Sequence, residues 1–363
     1  MAATVIPIVN QRSLAIPAAG AMVDAQSLVD ARGRRIRDLR ISVTDRCNFR
    51  CTYCMPKEVF DNDYPYLPHG EVLTFEEITR VARIAVNLGV KKLRLTGGEP
   101  LMRKGIEGLI AMLAALRADT PDLDITLTTN GSALKHKLSA LQAAGLSRLT
   151  VSLDSLDDTT FRAMNDADFP VAKVLEAIDA ANAAGFDSVK INMVVKRGVN
   201  DHQIVDMARH FRDTPNIVRF IEFMDVGSTN GWRMDDVIAS REVVRRINEI
   251  LPCAPANPNH AGEVAKRWKY LDGSGEFGVI SSVTEAFCGS CTRARLSTDG
   301  GIYTCLFAQT GYDIKTLLRG GESDDAIRAA LAGIWQQRRD NYSETRTAAT
   351  AREKKVEMSF IGG

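Results

Sequence analysis

The sequence predicts an α/β protein, built as an incomplete (β/α)6 barrel of the TIM type with a smaller C-terminal module. Strand-like segments and helical patterns alternate six times between residues 36 and 251, which predicts a parallel sheet with right-handed crossovers. After residue 251, prolines and asparagines interrupt this alternation and indicate a boundary. Because six units cannot complete an eight-stranded barrel, we expect the barrel to be laterally open.

Local signals define the individual elements. Alternation of polar and apolar residues predicts a first strand over 36–43, which leads directly into a cysteine-rich loop. Thr74 and Glu77 form a T-x-x-E capping box, which begins a helix that ends near Gly89. The other predicted strands cover 91–96, 125–129, 148–153, 188–195 and 217–223, and the other predicted helices cover 109–116, 132–144, 171–184, 201–213 and 238–251.

Three regions follow from this pattern. We predict a flexible leader over 1–33, the partial barrel over 34–251 and the C-terminal module over 252–363. The module contains a strand over 278–283, a helix over 324–338 and a tail that ends in Gly362 and Gly363. In parallel α/β architectures, ligands collect at the carboxyl ends of the strands, so we expect the active site at that edge.

Composition excludes several classes of protein. Hydrophobic residues at 45% and charged residues at 25% are ordinary globular values, and the net charge of +1 gives no general case for binding nucleic acid. No apolar run approaches the roughly 20 residues that span a bilayer, and no secretory signal is present, so we expect a cytoplasmic protein without a membrane partner. Six of the seven cysteines form two tight groups, which suits cluster or metal binding better than disulfides, and Cys253 stands alone.

The first group, Cys47, Cys51 and Cys54, has the spacing C-x3-C-x2-C directly after the first predicted strand. Three thiolates are one fewer than a closed zinc site or a fully ligated iron–sulfur cluster takes. One iron of a [4Fe–4S] cluster would therefore keep an open position, which an amino group and a carboxylate could chelate. A zinc knuckle that borrows a fourth ligand is the alternative. The Gly97-Gly98-Glu99-Pro100 turn lies at the same sheet edge and places a carboxylate where it could receive an ammonium group.

The second group, Cys288, Cys291 and Cys305, again offers three thiolates, with the spacing C-x2-C-x13-C. A zinc ribbon would need a fourth ligand, for which His260 is the nearest upstream candidate. Arg293 and Arg295 lie between these cysteines and place two guanidiniums beside the site. Guanidinium pairs suit an anionic substrate, and ordinary surface arginines are the competing interpretation.

Cationic and polar side chains recur on alternating positions of several predicted strands. A period of two places each same-strand pair on one face of the sheet. Charges in apolar strands are rarely buried unpaired, so this face predicts a polar cavity that binds an anion such as a phosphate chain. Salt bridges to Glu222 and Asp154 are the competing explanation. The residues are Arg40, Lys92, Arg94, Thr126, Thr128, Lys190, Asn192 and Arg219.

The first cysteine motif and the Gly-Gly-Glu-Pro turn together resemble those of the radical S-adenosylmethionine (SAM) enzymes. With the second cysteine group, the Arg-Ala-Arg segment over 293–295, the segments 37–47 and 220–227 and the terminal Gly-Gly, the chain resembles the GTP 3′,8-cyclases of molybdenum cofactor biosynthesis. The resemblance runs from about residue 34 to residue 363.

The resemblance implies two [4Fe–4S] clusters and SAM as cofactors, with one cysteine group on each cluster. Arg293, Arg295, Gly362 and Gly363 would support catalysis. The expected SAM contacts are Tyr53, Gly98, Glu99, Ser152, Met224 and Arg219, and the expected GTP contacts are Arg40, Lys92, Arg94, Thr128, Lys190, Asn192, Arg293, Ala294 and Arg295.

The same resemblance implies a reaction and partners. A 5′-deoxyadenosyl radical would remove hydrogen from ribose C3′ of GTP, and closure onto guanine C8 would give (8S)-3′,8-cyclo-7,8-dihydroguanosine 5′-triphosphate. An external electron donor would reduce the protein, the cyclic pyranopterin monophosphate synthase would take the product, and the family leads us to expect a homodimer. Two alternatives stay open at this point: a radical SAM enzyme with an auxiliary cluster that modifies a peptide, and a zinc-stabilised binding module.

Overall fold

One mixed β-sheet frames the protein in the computed structural model, which describes residues 13–17, 28–260, 262–347 and 349–363. The strands are β1 (Asp38–Ser42), β2 (Lys92–Thr96), β3 (Asp124–Thr129), β4 (Arg148–Ser152), β5 (Lys190–Val195), β6 (Ile217–Glu222), β7 (Cys253–Ala256), β8 (Lys266–Tyr270), β9 (Glu276–Ile280), β10 (Arg293–Leu296), β11 (Gly301–Tyr303) and β12 (Tyr312–Asp313). Their order across the sheet is β12-β11-β10-β1-β2-β3-β4-β5-β6-β9-β8-β7.

The central strands, from β10 through β1 to β6 and on to β9, are all parallel. Two antiparallel strands follow at each edge, β11 and β12 beside β10, and β8 and β7 beside β9. Among the described residues, β9 and β10 do not pair with each other. The prediction of an incomplete, laterally open barrel is therefore confirmed.

Helices follow the central strands and cover one face of the sheet. The first begins at the predicted capping box, where Thr74 Oγ1 accepts from the Glu77 amide at 3.1 Å and the Glu77 carboxylate accepts from the Thr74 amide at 2.8 Å. The helices are α1 (Phe75–Asn87), α2 (Ile106–Ala114), α3 (Leu134–Ala143), α4 (Asp158–Asn165), α5 (Val171–Ala183), α6 (Ile204–Phe211), α7 (Ser240–Ile250), α8 (Lys315–Arg319), α9 (Asp324–Gln336), α10 (Tyr342–Thr345) and α11 (Met358–Ile361).

The main apolar core lies between the sheet and this helical layer. Leu39, Ile41, Leu93 and Leu95 of the first two strands are almost completely buried in it. Successive strand residues point to opposite faces, so the alternating cations of the same strands point away from the core. This alternation gives the sheet one apolar face, which packs on the helices, and one polar face, which is left to bind a ligand.

The sequence prediction missed four of the described helices, α4, α8, α10 and α11, and five of the described strands, β7, β8, β10, β11 and β12. Helix α4 and strand β10 show why. Helix α4 begins at Asp157, whose side chain accepts from the Thr160 amide at 2.8 Å, an N-cap signal that the prediction overlooked. Arg293 and Arg295 lie in strand β10, which pairs with β1, whereas the sequence analysis treated them only as part of a cysteine motif. A four-residue strand that contains two arginines has no local strand signal, because its pairing depends on a partner more than 250 residues away.

The C-terminal residues are continuous with the barrel. Strands from the predicted module 252–363 extend both edges of the sheet formed by 34–251. The predicted leader over 1–33 lies mostly outside the described residues. Its last part, 28–33, is described, and Leu28 and Asp30 are buried there.

Candidate active site

All six cysteines of the two groups line one cavity of about 560 Å³. The six are Cys47, Cys51, Cys54, Cys288, Cys291 and Cys305. The lone Cys253 lies instead in β7, where it is buried in the apolar core. The fold thus brings together two motifs that are separated by more than 230 residues of sequence.

Close contact between two loops fixes the first cysteine group. The amide of Gly98 donates to the carbonyl of Thr44 at 2.8 Å, and the amide of Glu99 donates to the carbonyl of Arg46 at 2.8 Å. A Cβ on Gly98 would lie 2.1 Å from the carbonyl oxygen of Arg46, and a Cβ on Gly97 would lie 2.5 Å from that of Thr44. Only glycine allows this approach, so the Gly-Gly turn packs directly against the cysteine loop and holds it in place.

Glu99 holds the same turn together. Its carboxylate is buried and accepts from the Leu101 amide at 3.0 Å, Thr129 Oγ1 at 2.7 Å and the Asn130 amide at 2.7 Å. Burial raises the pKa of Glu99 to about 7 although these hydrogen bonds lower it. Glu99 lines the cavity as predicted, but its oxygens already serve the loop ends of β2 and β3.

The other predicted cofactor contacts also line the cavity. Tyr53 is held by its hydroxyl, which donates to the buried Asp154 carboxylate at 2.7 Å. Met224 lies in the loop after β6, where its carbonyl accepts from Asn230 Nδ2 at 2.9 Å. The lining includes Tyr53, Gly98, Ser152, Arg219 and Met224.

Three arginines surround the second cysteine group. Arg338 donates to the sulfur of Cys291 at 3.1 Å and to its carbonyl at 2.8 Å, and Arg293 donates to the same sulfur at 3.3 Å. Arg34 donates to the carbonyl of Cys288 at 2.7 Å. Burial by itself would raise the pKa of Cys291, but the guanidiniums of Arg293 and Arg338 outweigh it and lower that pKa to about 6.

The buried carboxylate of Asp30 balances the charges of two of these arginines, Arg34 and Arg338. Asp30 lies 2.6 Å from Arg34 Nε and 3.3 Å from Arg338 Nη1, and all three side chains are almost fully buried. The sequence analysis missed Asp30, Arg34 and Arg338 as site residues, since residues 30 and 338 come together only in the folded chain. They form the support of the second cysteine loop.

The thiols suit clusters better than single metal ions. Burial raises the pKa values of Cys47 and Cys305 to about 11, so without a bound cation these thiols stay protonated at neutral pH. Among the described residues, no group of three or more His, Cys, Asp or Glu side chains is placed to hold a metal ion. A zinc ion needs its ligands to converge on one point, whereas an iron–sulfur cluster spreads them over several irons. Each cysteine group brings three thiols to the cavity, which fits a [4Fe–4S] cluster with one iron left open.

Neighbouring parallel strands place their cations side by side. Arg40 of β1 is in register with Arg295 of β10 and Arg94 of β2. Arg94 Nη1 donates to Thr128 Oγ1 at 3.0 Å and to Thr150 Oγ1 at 3.2 Å. Seven of the eight residues predicted from the strand period line the cavity, together with Arg293 and Arg295; the seven are Arg40, Lys92, Arg94, Thr128, Lys190, Asn192 and Arg219. Thr126, the eighth, is buried within the sheet, where its hydroxyl donates to the carbonyl of Leu93 at 3.5 Å, and it is not part of the lining.

These cations are crowded and partly unpaired. Burial together with Arg219 and other neighbouring cations lowers the pKa of Lys190 to about 6, and burial with Arg94 lowers that of Arg219 to about 9. Within the described part of the chain, Arg40 Nε, Arg94 Nε and Asn192 Oδ1 are buried without a hydrogen-bond partner. Buried polar atoms are normally satisfied, so these atoms indicate a missing anionic or polar ligand.

The carboxylates proposed as competing partners are occupied elsewhere. Glu222 accepts from the amides of Ser240 at 2.7 Å and Val283 at 2.8 Å, and Asp154 accepts from Tyr53. Asp38 is a carboxylate that does face the strand cations, and the sequence analysis missed it. It lies 3.2 Å from Lys92, and although burial raises its pKa, Lys92 and neighbouring arginines lower it to about 2.

The C-terminal tail reaches the same cavity. Arg295 Nη1 donates to the carbonyl of Gly362, and Gly363 is part of the lining. Gly362 has φ 77°, and a Cβ there would lie 2.5 Å from Thr96 Cγ2, so the position requires glycine. Ala294, by contrast, is buried in the main apolar core and does not line the cavity.

Known proteins have sequences similar to most of this chain. The radical SAM superfamily matches residues 41–211, and the family described as Molybdenum Cofactor Synthesis C matches residues 216–344. A GTP 3′,8-cyclase of Acidothermus cellulolyticus is 49% identical over 364 residues, which cover 93% of this chain and 99% of that protein. The chain belongs to the GTP 3′,8-cyclase family.

Further comparisons agree with this family. A GTP 3′,8-cyclase of Staphylococcus epidermidis is 48% identical over 338 residues, covering 92% of this chain and 98% of that protein. Among solved structures, the crystal structure of Streptococcus suis SuiB bound to precursor peptide SuiA has a TM-score of 0.57 at 15% identity, covering 83% of this chain and 65% of SuiB. The likeness to SuiB concerns the fold alone. No described helix of this cyclase-family chain is long and apolar enough to cross a membrane.

Proposed function

We propose that the protein is a GTP 3′,8-cyclase, which converts GTP to (8S)-3′,8-cyclo-7,8-dihydroguanosine 5′-triphosphate in the first step of molybdenum cofactor biosynthesis. One observation carries this conclusion: two groups of three cysteines and a cationic strand lining meet in a single cavity. A peptide-modifying enzyme would not need cations from several strands. A zinc-stabilised module would need ligands that converge on one ion.

Each cysteine group holds one [4Fe–4S] cluster. Tyr53 lies in the loop of Cys47, Cys51 and Cys54, and Ser152 at the end of β4 and Met224 line the same cavity, so we assign SAM to this side. When bound, the first cluster and SAM supply the one-electron chemistry that removes a hydrogen atom from the substrate. The three cysteines and the Gly97-Gly98 turn are half-buried, and Glu99 and Pro100 behind them are buried, so the protein limits the access of water to this step.

The strand cations bind the triphosphate of GTP. Arg40, Arg94 and Lys190, with the hydroxyl of Thr128, present donors from different strands to one region of the cavity. Hydrogen bonds that involve a charged group contribute about 1.5–3 kcal/mol each, so a few of them suffice to orient the nucleotide. Lys92 and Asn192 extend this surface, and the cost of crowding the cations is offset when the phosphates arrive.

Arg293 and Arg295 lie between the two cysteine groups and act on the reacting part of the substrate. The carbonyl of Gly362 accepts from Arg295, so the terminal Gly362-Gly363 orients this guanidinium inside the cavity. Deletion of these two residues is expected to lower cyclisation while both clusters remain. Equal turnover by the truncated protein would contradict this role of the tail.

The decisive experiment is anaerobic incubation of the reconstituted protein with reductant, SAM and GTP. We expect 5′-deoxyadenosine and a cyclised GTP product in equal amounts, and absence of both would contradict the proposal. Exchange of Cys288 for Ser should abolish cyclisation and leave the first cluster in place. Elemental analysis provides an independent control, since zinc without iron and acid-labile sulfide would exclude the radical reaction.

The remaining partners are part of the same proposal. An external electron donor reduces the first cluster, and the cyclic pyranopterin monophosphate synthase consumes the product. We expect the protein to act in the cytoplasm, where the cysteines stay reduced, and to form a homodimer.

A further inference from the structure

Asp225 occupies the centre of a buried charge cluster that the proposed reaction does not use. Its carboxylate accepts from Tyr342 Oη at 2.5 Å, Arg346 Nε at 2.9 Å and Lys355 Nζ at 3.3 Å. The side chains of Asp225 and Lys355 are each 1% exposed. One carboxylate thus ties down three side chains from the C-terminal segment 342–357.

Aromatic rings complete this cluster. Tyr342 stacks on Phe307 with ring centroids 4.4 Å apart, and the Arg346 guanidinium lies 5.1 Å from the Phe307 ring. Phe307 is two residues beyond Cys305 and lines the cavity. Arg346 and Lys355 also donate to the carbonyls of Ser282 and Ala351, which carry no net charge, so Asp225 supplies the compensating negative charge.

The residues after Asp225 bind the same segment through a second set of contacts. We call residues 225–229 the β6 loop. Ser228 Oγ donates to the carbonyl of Lys355 at 3.0 Å and accepts from its amide at 2.9 Å. The Glu357 carboxylate accepts from the Ser228 amide at 2.9 Å and from Thr229 Oγ1 at 3.2 Å.

The β6 loop needs glycine at one point to make these contacts. Gly227 has φ 66°, and a Cβ there would lie 2.1 Å from a carboxylate oxygen of Glu357. The next residues, 358–361, form α11, which is only one turn long and cannot be stable by itself. The position of Gly362 and Gly363 therefore depends on how the preceding segment is held.

We propose that Asp225 is a positioning residue for the cyclisation: with the β6 loop it holds the C-terminal segment so that Gly362 and Gly363 reach Arg295. Asp225 does not line the cavity, so it acts through the tail. The same loop begins beside Met224, which lines the cavity, so the tail is anchored on the side of the site assigned to SAM. This inference rests on the proposed function for its effect on turnover, whereas the anchoring itself is independent of it.

The test compares the reconstituted wild-type protein with Asp225→Asn, which keeps the size of the side chain and removes its charge. Asp272→Asn is the matched control, because Asp272 pairs with Arg212 at 2.7 Å on the surface. Carboxypeptidase trimming of the C terminus, followed by intact mass, should be at least tenfold faster for Asp225→Asn and unchanged for Asp272→Asn. Iron and acid-labile sulfide per chain should equal the wild-type values in both variants.

Turnover supplies the second measurement. We expect kcat of Asp225→Asn to fall at least tenfold, with KM for GTP within about threefold, because the strand cations are untouched. Deletion of Gly362 and Gly363 should lower the wild-type rate and cause no further loss in Asp225→Asn. Trimming at the wild-type rate, or losses that multiply in the combined variant, would overturn the proposal.

The test remains decisive if the Asp225→Asn variant does not fold or if the wild-type protein is inactive. If Asp225→Asn does not fold, Ser228→Ala takes its place, since this exposed side chain makes two hydrogen bonds to the Lys355 backbone and its loss disturbs little else in the described part of the chain. If wild-type protein with full clusters makes no cyclised GTP, the proposed function fails. The trimming rates would still decide whether Asp225 anchors the tail.

Discussion

Gly98 is the residue at which the smallest change should have the largest structural effect. Replacement by Ala would place a Cβ 2.1 Å from the carbonyl oxygen of Arg46, and backbone cannot yield as a flexible side chain can. We expect Gly98→Ala to displace the loop of Cys47, Cys51 and Cys54 and to lose about 2 kcal/mol or more of unfolding free energy. Reconstituted protein should contain only the second cluster, as measured by iron analysis.

Gly108 provides the control for that substitution. It lies exposed in α2, and a Cβ there would meet nothing within 4 Å. Gly108→Ala should raise the unfolding free energy by about 0.5–1 kcal/mol, because alanine favours the helix interior. Full iron content in Gly98→Ala would show that the first cysteine group does not need the Gly-Gly turn to hold its position.

Lys190 should take up a proton when an anion binds beside it. Burial and the neighbouring cations, first among them Arg219, lower its pKa to about 6, so the free protein holds it mostly neutral at pH 7.5. A bound triphosphate favours the charged form and raises this pKa, so GTP binding should take up close to one proton. Affinity should therefore fall as pH rises above 7, by up to about tenfold per pH unit.

Calorimetric titration of GTP in two buffers of different ionisation enthalpy measures that proton. Lys190→Met should bind with much less proton uptake than wild type. Equal uptake by the two proteins would show that Lys190 does not face the phosphates.

At the scale of elements, the parallel register of β10, β1 and β2 concentrates cations that local sequence places far apart. Arg295, Arg40 and Arg94 are side by side because neighbouring strands share one register. Arg94→Met removes one guanidinium and approximately keeps the buried volume. Loss of a charged hydrogen bond of about 1.5–3 kcal/mol should weaken GTP binding by about 10- to 150-fold.

A surface arginine separates this effect from net charge. Arg209 lies on α6 and pairs with Asp206 at 2.9 Å, away from the cavity. Arg209→Met should bind GTP with wild-type affinity at physiological salt, where surface charges are screened. Equal losses in both variants, measured by equilibrium binding, would contradict a phosphate site at the strands.

At the scale of the whole molecule, one sheet joins the two regions that the sequence suggested as separate. Strands β9 and β10 continue the parallel sheet at its two ends, so the barrel edges of β1 and β6 are covered only by residues after 251. We expect the cluster-free protein to unfold in one thermal transition. Two of the three tryptophans, Trp268 and Trp335, lie after residue 251, so fluorescence of a Trp232→Phe variant follows the C-terminal part, while far-UV circular dichroism is dominated by the helices of the barrel.

The two signals should therefore have the same midpoint temperature. A fluorescence transition several degrees below the dichroism transition would indicate that the C-terminal region unfolds independently. That result would favour a boundary near residue 251 as a true domain boundary.

The sequence by itself determined the chemistry of the candidate site. Cysteine spacing, the Gly-Gly-Glu-Pro turn and the period-two cations are local patterns, because each depends on neighbours only a few residues apart. The six barrel strands were predictable for the same reason. They alternate regularly and carry strong strand formers, as in the run from Lys190 to Val195.

Only the tertiary structure decided how these pieces are held. Arg338 supports Cys291, Asp225 anchors Lys355, and Arg293 lies in a strand beside β1, and none of these pairings leaves a local trace in the sequence. Glu99 shows what a motif leaves undetermined. The sequence predicted its carboxylate at the site, but only the fold determines that this carboxylate accepts from Thr129 and Asn130. The physical reason is that contacts across more than 40 residues depend on the packed sheet, which no short stretch of chain encodes.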